Sequence, residues 1–303
     1  MREFSHPSSP VIGDGSACVP ASRSKWSARH ALIGLAAALS AGLLAGPTAA
    51  ASDGRCAERA TVVQVNDALE LALDRAIEGT ETVRLAGIEA PRPAEPGDRR
   101  PQAKPPARTL MDGALRMVGN AVEQRTVCIS APSRGVDRYG RLLAHVYLDD
   151  GTWLQGLLLS RGLARVRTTR DAPELAREML DLEREARDRR LGMWRFWEFR
   201  VRPAGEAGRF IGSFQVVEGR VLAVAQRRNH WYLNFGEDWR SDFTVGIPQD
   251  VLSASEASAI DPRDLKGQQV RVRGWVEKYN GPMIEIDHPA QIERLAPGDE
   301  PPG

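Results

Sequence analysis

Two arginines in this chain stand where apolar strands meet loops, and their type and placement suit the binding of an anion. Arg84 is the second residue of VRLAGIEAPR (Val83–Arg92), an apolar run that reads as a strand and breaks at Pro91. Arg141 lies at the mouth of a second apolar run, in DRYGRLLAHVYLDDG (Asp137–Gly151). A planar guanidinium answers an oxyanion with paired, charge-assisted hydrogen bonds, so two of them held by separate strands could form an anion site. An arginine that merely points outward from a strand would be solvated and would do no chemistry.

These residues need a scaffold, and the length of 303 residues suits a leader followed by two domains of ordinary size. Apolar residues at 42% and charged residues at 27% describe a globular chain rather than a disordered one. Ala31–Ala45 (ALIGLAAALSAGLLA) is an apolar run preceded by Arg23, Lys25 and Arg29 and followed by small residues, the pattern of a signal peptide over residues 1–51, cleaved near Ala51. A retained membrane anchor is the alternative, but a spanning helix needs roughly twenty apolar residues. Export to the periplasm or the medium, with no stable membrane insertion after cleavage, is therefore expected.

Loss of residues 1–51 removes four Lys/Arg and two Asp/Glu from totals of 41 and 40, leaving 37 against 38. Such a balance excludes a general basic field for polyanions, so any phosphate binding must come from local arginine clusters. The leader also takes Cys18 and leaves Cys56 and Cys128, for which a disulfide is expected in an oxidising compartment; two buried free thiols are the alternative. There is no P-loop, dinucleotide fingerprint, HExxH or zinc-type cysteine spacing, and His145, His230 and His288 lie far apart, which argues against a transition-metal site.

The pattern TVVQVNDALELAL from Thr61 alternates across Asn66–Asp67 and predicts two strands, with Val83–Ile88 as a third. Arg92–Arg108, rich in proline and charge, reads as a long exposed loop. Met111, Leu115, Val118 and Val122 mark a helix over residues 109–124, Thr126–Ser130 and Leu142–Leu148 two further strands, and Trp153–Val166 a short helix stopped at Gly162. The stripe Leu175, Met179, Leu182, Ala186 predicts a helix from Pro173 to Arg190, followed by an aromatic cap at Trp194, Phe196, Trp197 and Phe199. VRPAGEAGR (Val201–Arg209) reads as a boundary between a first domain over 52–200 and a second over 201–296. In the second, about five strands and a short helix near Ser253–Ile260 suggest a small OB-like β-barrel or a sandwich, with 297–303 as a disordered tail. Arg271, Arg273 and Lys278 would serve nucleic acid if they shared a surface with Trp231 or Tyr232.

The ordered motifs VRLAGIEAP, DRYGRLLAHVYLDDG, GLARV and RRLGMW, spanning Thr61 to Trp194, resemble the thermonuclease (staphylococcal nuclease-like) family. The resemblance implies a mainly β fold with helices: an OB-type five-stranded barrel with three helices. In active members it implies calcium-dependent cleavage of phosphodiester bonds in DNA and RNA. The family's phosphate arginines match Arg84 and Arg141, and its calcium ligands fall on Asp67, Glu89 and the carbonyl of Ala90. Arg92 occupies the place of the glutamate that activates water, and an arginine cannot be a general base near neutral pH. Glu95 or Asp98 in the long loop are candidate substitutes, against the plainer role of solvated carboxylates. Three functions stay open on these residues: a divergent nuclease, a nucleic-acid or polyanion-binding module without turnover, and a structural protein of the envelope.

Overall fold

Alternation of apolar and polar residues from Glu58 onward becomes an antiparallel hairpin of β1 (Glu58–Asp67) and β2 (Glu70–Ile77), in which Val62, Leu71 and Leu73 turn inward. The computed structural model describes residues 56–91, 105–131, 135–253 and 260–296. The expected leader (1–51), Arg92, Glu95, Asp98 and the tail from 297 lie outside the described residues.

β3 (Thr80–Leu85) continues the meander and is followed by the two-residue β4 (Ile88–Glu89). After α1 (Pro105–Val122) come β5 (Thr126–Ser130) and β6 (Leu142–Tyr147), and the five long strands close into a barrel in the order β1-β2-β3-β6-β5. Closure depends on β1, whose first residues pair with β5 and whose remainder pairs with β2, while β3 and β6 run parallel. α2 (Leu154–Ser160), β7 (Arg165–Val166) and α3 (Ala176–Asp188) complete this half, with β7 pairing antiparallel to β4.

The core stripe of α1 differs from the expected one. Ala107, Leu110, Ala114, Val118 and Val122 are buried, whereas Met111 and Leu115 are only partly covered: Ala114, Val118 and Val122 join the barrel core, and Ala107 and Leu110 pack with Ala186, Met193, Trp194 and Phe199. Cys56 and Cys128 form a disulfide with a Cα–Cα distance of 5.4 Å, tying the segment before β1 to β5. In the loop-entropy model, closing a loop of this size contributes about 4 kcal/mol.

The C-terminal residues form an eight-stranded sheet. Its strands are β8 (Arg202–Pro203), β9 (Ser213–Arg220), β10 (Ala223–Arg227), β11 (His230–Asn234), β12 (Thr244–Pro248), β13 (Gln269–Tyr279), β14 (Gly281–Glu285) and β15 (Ile292–Arg294). The hydrogen-bonded path runs β10-β11-β12-β14-β13-β9-β8, with β15 beside β13. Only Val221 and Leu222 separate β9 from β10, so one bent length of chain joins the two arms of the path. A meander, a parallel pairing of its last strand (β12 with β14) and an antiparallel return to its first repeat the connectivity of the N-terminal barrel.

The expected boundary, Val201–Arg209, is structured: Arg202 pairs in register with Val217, and its guanidinium lies 4.3 Å from the Phe210 ring centroid. The short helix is α4 (Gln249–Ser253), while residues 254–259 lie outside the described residues.

Arg271 and Arg273 carry the larger surprise. Alternation along β13 sends Val270, Val272 and Val276 into the C-terminal core and Arg271, Arg273 and Trp275 to the other face. That face is not solvent. Arg273 is fully buried against Glu183 of α3, and Arg271 is buried in an ion pair with Glu218 at 2.5 Å, so neither arginine is available to a polyanion. All described residues fall within one compact unit.

Candidate functional site

A cleft of about 860 Å³ opens over the ends of β3 and β6, lined by Arg84, Arg138, Tyr139, Arg141, Arg167 and Trp275 among others. The barrel brings the two sequence-predicted arginines together through its parallel pair, where Arg84 stands in register with Leu143, two residues beyond Arg141.

The DRYGR turn is built on Asp137. Its Oδ1 accepts from the backbone N–H groups of Tyr139 at 2.8 Å and Arg141 at 3.0 Å, and Gly140 supplies the positive φ of 77° that folds the turn back. Asp137 Oδ2 then accepts from Arg141 Nε at 3.0 Å and Nη2 at 2.7 Å. Arg141 Nη1 donates to Glu70 Oε2 at 3.1 Å, and Glu70 is itself the cross-strand partner of Arg84. Glu70 therefore sits between the two arginines and fixes the spacing of the pair. Three of the five guanidinium N–H groups of Arg141 are engaged in these bonds, leaving two for a ligand. Partial burial would lower the pKa of Arg141, but the hydrogen bonds to Asp137 and Glu70 outweigh it and hold the pKa above its ordinary value. For Asp137 burial pulls upward, and the bonds from Arg141 and the turn N–H groups bring it below the usual carboxylate range.

Glu70, Arg138 and Arg167 were not among the sequence-predicted site residues. Position opposite Arg84 in the β2–β3 hairpin was the available signal for Glu70, and nearness to the GLARV motif the signal for Arg167. Trp275 left no signal, since it comes from the C-terminal sheet.

The residues aligned with calcium ligands do not fit that ion. Asp67 Oδ1 accepts from the backbone N–H of Leu69 at 2.6 Å and serves the β1–β2 turn. Glu89 is buried, stands opposite Arg165 in the β4–β7 pair, and accepts from Arg167 Nη1 at 2.8 Å. Burial lowers the pKa of Arg165 to about 10, with Glu89 and Glu183 offsetting part of that, so it stays protonated at neutral pH. A carboxylate flanked by two guanidinium groups is a poor partner for a hard dication, which would have to displace or repel them. Ala90 offers only its backbone oxygen, and among the described residues no group of three or more His, Cys, Asp or Glu side chains could hold a metal ion.

The class is thus a closed OB-type barrel with flanking helices, which carries arginines at the end of its parallel strands. Residues 82–196 match the family model described as staphylococcal nuclease homologue. The match begins inside β3, yet β1 and β2, which precede it, complete the same barrel. No curated protein matches the chain.

Proposed function

We propose that this protein binds nucleic acid by its phosphates in the cleft of Arg84, Arg138, Arg141 and Arg167, and that it does not hydrolyse phosphodiesters by a calcium route. The Glu89–Arg167 ion pair carries this reading, because it engages an aligned metal ligand and places the Arg167 guanidinium in the lining of the cleft. Arg92 at the position of the water-activating glutamate points the same way. Export is part of the proposal: the signal-like residues 1–51 and the Cys56–Cys128 disulfide support a periplasmic or secreted location.

Divergent hydrolysis of DNA or RNA is the second reading, favoured by the convergence of Arg84 and Arg141. The experiment is fluorescence anisotropy of a labelled single-stranded oligonucleotide, with gel analysis of its integrity, in calcium and in chelator. The expected result is binding that ignores calcium, with Arg84→Ala and Arg141→Ala each weakening it about 10-fold to 100-fold, the scale of a charged hydrogen bond. Calcium-dependent cleavage lost in either variant would establish the hydrolase instead. Neither binding nor cleavage would overturn both.

A further inference from the structure

We infer that Trp275, supplied by the C-terminal sheet, is a nucleobase-stacking residue of the cleft and makes it selective for single-stranded nucleic acid; this rests on the functional reading above. Val272 and Val276 occupy the core on one face of β13, so Trp275 projects from the other face with Arg273. Arg273 is sealed against α3, but two residues further on the strand emerges at the cleft, where Trp275 is half-buried and joins Arg84, Arg141 and Arg167 in the lining.

The indole is held from two directions. Phe214, its register partner on β9, meets it edge-on with ring centroids 6.5 Å apart and an interplanar angle of 84°. The guanidinium of Arg167 lies 6.0 Å from its centroid. Phosphate-binding arginines track a backbone without reading bases, whereas an aromatic face beside them accepts a base of any sequence. Only an unpaired base can leave its stack to reach such a face, which sets the preference for single strands.

Anisotropy with two probes tests the assignment: a labelled single-stranded oligodeoxynucleotide, and a strand of the same length carrying abasic residues throughout. Wild-type protein is expected to bind the base-containing probe roughly 10-fold more tightly, the scale of one lost stack. Trp275→Leu should lose that preference with its affinity for the abasic strand unchanged, and Trp275→Phe should retain most of it. Equal wild-type affinity for the two probes overturns the assignment without any variant having to fold, and leaves the phosphate reading standing. A preference that survives in Trp275→Leu also overturns it. Wild-type protein that binds neither probe overturns the nucleic-acid reading, and the role of Trp275 with it.

Discussion

Arg273 of β13 donates from Nη1 to both carboxylate oxygens of Glu183 on α3, at 2.9 and 3.0 Å, and both side chains are completely buried. Arg273 also pairs with Glu293 through Nη2, and Arg187 donates to Glu183 at 3.2 Å. Burial lowers the pKa of Arg273, but the two glutamates outweigh it and hold it above its ordinary value. Breaking one side of such a pair leaves an uncompensated buried charge. Glu183→Gln and Arg273→Met should each cost about 3–5 kcal/mol of stability, and the double variant clearly less than their sum. Urea titrations of the four proteins measure this, and strict additivity would show that the pair is not coupled.

His145 should make the protein sensitive to mild acid. It lies in β6, beside Trp153 with ring centroids 5.5 Å apart, and burial lowers its pKa from 6.5 to about 4, partly opposed by the Glu174 backbone and by Glu178. Below pH 6.5 the unfolded chain takes up a proton that the folded chain refuses. Stability therefore falls as pH drops from 6.5 toward 4, by about 3 kcal/mol over the whole range. Chemical denaturation at intervals between pH 4 and 7 should show this slope, and His145→Gln should flatten it.

Calcium should leave stability unmoved. A ligand that binds only the folded state raises the melting temperature by mass action. With Asp67 committed to its turn and Glu89 to Arg167, millimolar calcium and chelator should give melting temperatures within about 1 °C of each other. A calcium-dependent rise of several degrees would show that the Glu89–Arg167 pair opens for the ion.

Gly162 and Gly192 are expected to tolerate no side chain. Met193 donates its N–H to the Gly162 carbonyl at 2.8 Å, with φ at +63° for Gly162 and +51° for Gly192. A Cβ on Gly162 would collide with the Leu191 carbonyl, and one on Gly192 with the Gly162 carbonyl. Backbone blocks both, so no side-chain rotation relieves the clash. Gly162→Ala should destabilise by about 2 kcal/mol or more, read as a lower urea midpoint at constant slope.

The barrel was legible because its strands alternate around one core and its motifs keep their order; the hairpin at Asn66–Asp67 and the strands at Val83 and Leu142 needed nothing more. The contact between the two β structures was not. Arg271 and Arg273 alternate with valines, a pattern that normally means one face in water, and only the partner surface reveals a buried charge layer. Glu183 likewise hides beside Leu182, and the apolar stripe of α3 selects the leucine although the glutamate is the fully buried one. Arg84 and Arg141 could be placed from sequence because they lie on local motifs. Glu70 had only its place opposite Arg84 in the β2–β3 hairpin to mark it, and Trp275 reaches the site from the C-terminal sheet, which no spacing encodes.

The charge layer between the two β structures also bears on how such a chain can change over generations. Recombination that replaced the C-terminal sheet with another would leave Glu183 facing a surface without Arg273, with Arg187 as its remaining guanidinium partner, and loss of one side of a buried charge cluster is penalised. The two halves share one connectivity but are not interchangeable cassettes. A substitution of Arg273 or Glu183 alone therefore weakens the joint between the extension and the barrel, and a matched pair of changes can keep it.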